Sequence, residues 1–300
     1  MADLQSELLR WAAMAGQLSD GLKSLAASQA TEATLPPAIP TSPANPAPVL
    51  AKPGVLLNIG TRSGQNHFEL GIGRSGDKAV TTKTQAQLAT YTEEPYFYTV
   101  GQLALFGVRV NGPTTPGSKN PRCELRELDT AGKLMAFDPF KGDNFLAALS
   151  KPLHLPPVKP SVVFGQLHGA DDDLLELAVQ PRSDYATTRK LEVVCRINGT
   201  SVGLPKLVAD YQLGAELSWL IRVGSYGWEV YLGDMKTPAL TSATAGRPKL
   251  GGAAGKVAYF KVGAYLQTNA SIESDPTEYG LVAVRQLRHW HTGWPAPGAA

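Results

Sequence analysis

The sequence predicts an all-β fold, a sandwich of two antiparallel sheets, preceded by an N-terminal helix. Three observations predict it. From about residue 54 onward, short runs of β-type residues alternate with turn signals. The chain carries 30 Gly, 23 Pro and only 18% charged residues, a turn-rich composition. Finally, residues 259–267 alternate at a period of two. Phe260, Val262, Ala264 and Leu266 fall on one face, and Tyr259, Lys261, Gly263, Tyr265 and Gln267 on the other, as in a half-buried strand.

In chain order, residues 3–28 read as a helix. Leu4, Leu8, Trp11, Ala15, Leu18, Leu22 and Leu25 form a heptad seam, weakened by Gly16 and Gly21. We read 1–28 as an oligomerisation or anchoring segment. The alternative is an amphipathic helix packed on its own domain. Residues 29–53 hold Pro36, Pro37, Pro40, Pro43, Pro46, Pro48 and Pro53 among Ala, Ser and Thr, which makes a semi-rigid linker. The β domain then spans 54–300. Its predicted strands include Val55–Ile59, His67–Ile72, Tyr96–Val100, Leu103–Val110, Val162–His168, Leu174–Val179, Leu191–Ile197, Leu217–Val223, Trp228–Leu232, Val257–Gln267 and Leu281–Leu287. Asn111-Gly112, Asn198-Gly199 and Gly233-Asp234 are candidate turns. Asp143–Leu149 reads as a short helix. No internal repeat is visible.

A balance of 28 Lys+Arg against 26 Asp+Glu says little about partners, and any polyanion site must be a local patch; nucleic acid is not an expected partner. Cys123 and Cys195 both sit in strand-like runs and read as buried free thiols. No apolar run reaches membrane-spanning length. The start Met-Ala-Asp-Leu-Gln lacks a basic leader, so no secretory signal is expected.

Three segments carry chemistry. Arg122-Cys123-Glu124-Leu125-Arg126 puts two guanidinium groups on one strand face with Glu124 between them, an array suited to carboxylates. Gln166-Leu167-His168 puts an amide donor and a titratable base on one face. The stretch 259–267 adds Lys261, two phenols and an amide. The bland readings are a solvated charged strand, a structural histidine and a surface strand.

Together the three segments resemble the signature blocks of polysaccharide lyase family 7, the alginate lyases, which read Arg-Ser/Thr-Glu-Leu-Arg, Gln-Ile/Val-His and Tyr-Phe-Lys-x-Gly-x-Tyr-x-Gln. They occur in the family's order, within about residues 54–292. The lead from Gly112 to Pro121 and the run from Pro160 through Leu175 also look like the family's. The resemblance implies a β-jelly roll with a groove across one sheet. It implies that Arg122 and Gln166 neutralise a uronate carboxylate, that His168 is a base, and that Tyr265 is the acid and on some substrates the base too. Glu124, Arg126, Lys261 and Gln267 would line or support the groove, and Tyr259 would stack on a sugar. Leu167 departs from the family's Ile or Val, a position associated with uronate preference, and leaves the substrate open. Cys123 replaces Ser or Thr, and Leu266 replaces a common Asn.

The chemistry accounts for these residue types independently. β-Elimination removes a weakly acidic proton beside a carboxylate. Donors aimed at that carboxylate stabilise the enolate-like charge, and an acid and a base move the protons. No metal or organic cofactor is required. A phenol pKa lowered by Lys261 and Arg122 would tune Tyr265. His289-Trp290-His291 lacks further ligands and reads as surface or terminal packing, and Asp171-Asp172-Asp173 as a solvated turn.

The sequence therefore points to a lyase acting on an anionic polysaccharide. Its helix and linker suggest mounting on a larger particle such as a phage tail. Two other classes are a non-catalytic glycan-binding module and a structural particle protein with a vestigial groove. An intact proton-transfer pair favours the enzyme, because binding alone would not need it.

Overall fold

The computed structural model of the chain describes residues 51–62, 65–170, 173–233, 235–246, 250 and 257–294. The expected helix over 3–28, and the linker up to residue 50, lie outside the described residues.

Among the described residues the strands are β1 (Phe68–Ile72), β2 (Thr81–Lys83), β3 (Phe97–Val100), β4 (Leu103–Arg109), β5 (Arg122–Glu127), β6 (Asp143–His154), β7 (Val162–Gly169), β8 (Asp173–Pro181), β9 (Leu191–Ile197), β10 (Lys206–Tyr211), β11 (Leu217–Gly224), β12 (Gly227–Leu232), β13 (Pro238–Thr241), β14 (Ala258–Leu266) and β15 (Tyr279–His291). Single helical turns stand at α1 (Pro53–Leu56), α2 (Gln85–Leu88) and α3 (Tyr185–Thr188). The strands form two antiparallel sheets, a jelly-roll sandwich. One has eight strands in the order β10-β9-β8-β7-β14-β5-β1-β2, and the other seven, β13-β12-β11-β6-β15-β4-β3. Alternation along each strand decides which side chains enter the space between the sheets. Phe68, Phe97, Phe106, Phe164, Trp219, Trp228 and Phe260 fill it, all fully buried.

Two expected elements differ. Val55–Ile59 is not a strand: Pro53 opens the single turn α1, and Ile59 makes only an isolated bridge to Asn66. Proline suits the first helical position because its missing N–H has no partner there anyway. Asp143–Leu149 is not a helix but the first half of β6. That strand lies between β11 and β15, and Leu146 and Ala148 face the core while Phe145, Ala147 and Leu149 join a second apolar cluster on the outer face. A strand buried on both sides loses its alternation and reads like a helix. Asn198 and Gly199 form the expected turn, both with positive φ, at 51° and 74°. Both cysteines are buried thiols outside any disulfide. No described helix is long and apolar enough to cross a membrane.

His289 and His291 point inward, not to the surface. They meet Glu127 on the opposite sheet, with His291 Nε2 2.6 Å from Glu127 Oε1, while Phe260 N–H donates to Glu127 Oε2 at 2.8 Å. Trp294 rests against both histidine rings. This is a terminal packing role, with a buried charge added.

Candidate active site

The three segments singled out in sequence occupy β5, β7 and β14, and β14 runs between the other two. Residues directly opposite in antiparallel strands share a face. Lys261 stands opposite Arg126 on one side and Gln166 on the other. Tyr265 stands opposite Arg122, and Tyr259 opposite His168. The face away from the core thus gathers residues more than a hundred positions apart. All of them but Gln166 border a groove of about 650 Å³ that is also lined by Thr115, Ser118, Glu69 and Asp173. Gly263 on β14 has φ +146°, and a Cβ there would lie 2.5 Å from Cys123 O, so this row has glycine where β5 approaches closely.

Glu124 is the hub of the floor. Only 2% exposed, its carboxylate takes Lys261 Nζ at 2.7 Å and Arg122 Nη1 at 3.3 Å, and accepts from Gln166 Nε2. Burial pushes its carboxyl up, but Lys261 and Arg122 outweigh burial and hold it below the usual range. Burial draws the Lys261 ammonium down against the pull of Glu124. Arg122 also lays its guanidinium 3.9 Å from the Tyr265 ring centre and donates to Ser118 Oγ at 2.9 Å.

Tyr265 differs from expectation in its ionisation. Its phenol is shifted up, not down: burial raises it, and the bond to Ser118 and the charge of Arg122 only partly offset that. Lys261 pairs with Glu124 at 2.7 Å and lies 5.8 Å from the Tyr265 ring centre, so its charge does not bring the phenol below its usual value as supposed. The hydroxyl lies 3.2 Å from Ser118 Oγ. A phenol held in its protonated form is an acid ready to donate.

His168 is held below its usual value, by burial first and by Lys261 next, so the ring is neutral near pH 7. Its Nδ1 faces the Gly169 carbonyl and its Nε2 lies 3.2 Å from Asp173 Oδ1, so both ring nitrogens meet acceptors, and the neutral ring, with one proton, keeps a lone pair on one of them. A proton gained at Nε2 would be stabilised by that carboxylate. Tyr259 lies between the His168 ring, stacked at 5.0 Å, and Arg126, 4.2 Å from its ring centre. Protein groups therefore flank the ring that was expected to stack on a sugar.

Gln267 is not among the groove residues. It accepts from Arg196 Nη1 at 3.1 Å, in a polar cluster with Ser161 and Gln180. Gln166 is fully buried beneath the groove floor, turned toward Glu124. Ser118 and Asp173 were not singled out in sequence. Ser118 lies on the loop before β5, with no strand periodicity to point it anywhere. Asp173 reads as a turn residue, and only the register opposite His168 brings it to the site. Among the described residues, no three His, Cys, Asp or Glu side chains are placed to share a metal ion.

A family model described as alginate lyase matches residues 65–291. The chain belongs to the alginate lyase family. The family is that of polysaccharide lyases, and this chain is one by descent and by fold. Among solved structures, it is similar to the alginate lyase AlgAT5 from polysaccharide lyase family 7, at 26% identity and TM-score 0.66, covering 81% of this chain and 100% of that one. An alginate lyase from Corynebacterium sp. is 24% identical with TM-score 0.62, covering 76% and 95%. The family 7 alginate lyase A1-II', solved as a variant in complex with the substrate GGMG, is 21% identical with TM-score 0.61, covering 82% and 99%. Among curated proteins no match is found. The matched span of the alginate lyase model takes in all three strands that build the groove.

Proposed function

We propose that this lyase cleaves a uronate-containing, alginate-like glycan by β-elimination in the groove over β5, β7 and β14. The observation that carries the reading is the pairing of a neutral histidine with a protonated phenol across a floor of Arg122 and Lys261, with Gln166 beneath it. The substrate complex of the similar A1-II' supports the substrate class.

The uronate carboxylate sits over Arg122, Lys261 and Gln166, sharing with Glu124 the donors that Glu124 holds in the free protein. Those donors stabilise the negative charge that grows on the carboxylate as the neighbouring C5–H bond breaks. His168 Nε2 takes that proton, and Asp173 stabilises the resulting imidazolium. The C5 electron pair forms the C4=C5 double bond as the C4–O bond breaks. Tyr265 gives its phenolic proton to the leaving oxygen. The products are a shortened chain and a chain ending in an unsaturated sugar. Where the C5 hydrogen lies on the side of Tyr265, a tyrosinate could take both roles, but at the cost of ionising a phenol held above its usual pKa.

The test is Tyr265→Phe, which keeps the ring and its packing but removes the proton. A general acid contributes about a hundred- to ten-thousand-fold in rate. Turnover, followed by the ultraviolet absorbance of the unsaturated product, should fall by that order, while affinity for the polymer changes little. A variant keeping more than about a fifth of wild-type turnover, the loss of one ordinary hydrogen bond, removes Tyr265 from the acid role.

A further inference from the structure

The row of side chains across the groove floor continues beyond β7. Gln166 stands opposite Glu176 on β8, and Glu176 opposite Arg196 on β9. Glu176 is 2% exposed, a buried carboxyl that the elimination chemistry does not use. Its ion-pair partner, Arg196 Nη1, is 3.7 Å away, beyond hydrogen-bond reach. Arg196 spends its donors on neutral acceptors instead: Gln267 Oε1 at 3.1 Å, Ser161 Oγ at 3.2 Å and Gln180 Oε1 at 2.9 Å. Lys261 is committed to Glu124. The nearest cation thus reaches Glu176 only as a loose ion pair without a hydrogen bond, and a weakly paired buried charge is costly.

On the other side, Gln166 has an unmet need. Its Nε2 donates to Glu124, but its Oε1 is buried without a partner. Directly opposite residues in an antiparallel pair have Cβ atoms about 5 Å apart, within reach of Glu and Gln side chains. A carboxylate cannot donate to an amide oxygen, whereas a carboxylic acid can.

We propose that Glu176 works as a neutral carboxylic acid that donates its O–H to Gln166 Oε1 and so locks the Gln166 amide with its NH2 toward Glu124 and the groove. The inference rests on the reading of Gln166 as one of the donors that meet the substrate carboxylate. Glu176 is a positioning residue: it acts through Gln166. Ionised, it would draw the Gln166 NH2 toward itself and leave the amide oxygen facing the incoming carboxylate.

The groups facing Glu176 support the neutral form. Burial, then Asp173 on its own strand, raise its carboxyl to about 7, with Glu124 on β5 adding to the rise. Arg196 on β9 and Lys261 on β14 pull the other way. The lock is therefore made at mildly acid pH and released as the pH passes through about 7.

The test uses the full chain and two readouts. In nuclear magnetic resonance of the free protein, the Gln166 side-chain NH2 signals should titrate with the Glu176 carboxyl carbon, with a shared midpoint near 7. In Glu176→Gln, whose amide N–H donates at every pH, the Gln166 signals should hold still. In turnover, Glu176→Leu should lose roughly tenfold in kcat/KM at pH 6, Glu176→Gln should recover most of that loss, and its profile should lack the alkaline fall through pH 7 that the lock predicts for wild type. Gln166 signals that do not move between pH 5 and 9 overturn the lock, whatever polymer is cleaved. Equal alkaline falls in wild type and Glu176→Gln overturn it as well. A wild type that cleaves no uronate polymer defeats the elimination reading instead, and the resonance titration still decides the lock.

Discussion

Ser118 shows how much one side chain outside the signature segments can organise. Its hydroxyl accepts from Arg122 Nη2 and lies within hydrogen-bond distance of the Tyr265 hydroxyl, so a loop residue ties the carboxylate-binding guanidinium to the acid. Ser118→Ala deletes both bonds, together with the two that the hydroxyl makes to the Asn120 backbone, without adding bulk. Hydrogen bonds to charged groups are worth about 1.5–3 kcal/mol, so kcat/KM on the cleaved polymer should fall roughly ten- to a hundredfold. Because Ser118 also lowers the phenol, the Tyr265 hydroxyl should titrate higher still in the variant. A loss below twofold would show that substrate alone positions Arg122 and Tyr265. The same scale explains why Tyr265 was misjudged from sequence. Nearby cations argue for a lowered phenol, but sequence does not show that Lys261 is already paired with Glu124 and that the ring is buried.

At the scale of the element, β7 must carry Gln166 and His168 outward while its inner face packs the core. Gly165 makes that possible. A Cβ there would lie 2.4 Å from Trp219 Cη2, and the fully buried indole is pinned by its N–H bond to Ser150 Oγ at 2.9 Å. Gly165→Ala therefore forces either the indole or β7 to move. Overpacking of this kind costs about 1–3 kcal/mol, to be read as a lower urea midpoint. Since Gln166 is the next residue, turnover should fall more than stability alone explains. An unchanged midpoint would mean that Trp219 yields freely. Strand β6, expected in part as a helix, shows the same dependence on its neighbours. Its run Phe145–Leu149 is apolar on both faces because the central position in its sheet lies under covering groups on both sides.

Across the whole molecule, the two sheets are joined by charge as well as by apolar packing. Glu127 on one sheet meets His291 and His289 on the other, all nearly or fully buried. Burial holds the His289 imidazole down at about 3, against 6.5 in an unperturbed ring. The unfolded chain therefore takes up a proton at His289, between those values, that the folded chain refuses. Stability rises with pH across that window and falls by up to about 1.4 kcal/mol per unit on acidification. Glu127 is depressed in the folded state, with His291 overcoming burial, so its contribution is lost only below the unfolded carboxylate value of about 4.3. Denaturant unfolding between pH 6 and 4.5 should thus show a steep slope in wild type and a shallower one, by about one proton, in His289→Phe. Equal slopes would place the titrating group elsewhere.

What the sequence determined by itself is what local pattern can carry. Period-two alternation marked the strands and their inward faces, and Phe260, Val262, Ala264 and Leu266 do face the core. The spacing within each segment set which side chains share a face, because side chains alternate along any strand whatever its partners are. The resemblance of the three segments led to the family. Strand order and register arise only in the packed sandwich. These place β14 between β5 and β7, set Asp173 against His168 and Glu176 against Gln166, and move Gln267 to a different polar cluster. They also decide ionisation. A pKa depends on burial and on the few charges within several ångströms, and those neighbours come from strands far apart in the chain.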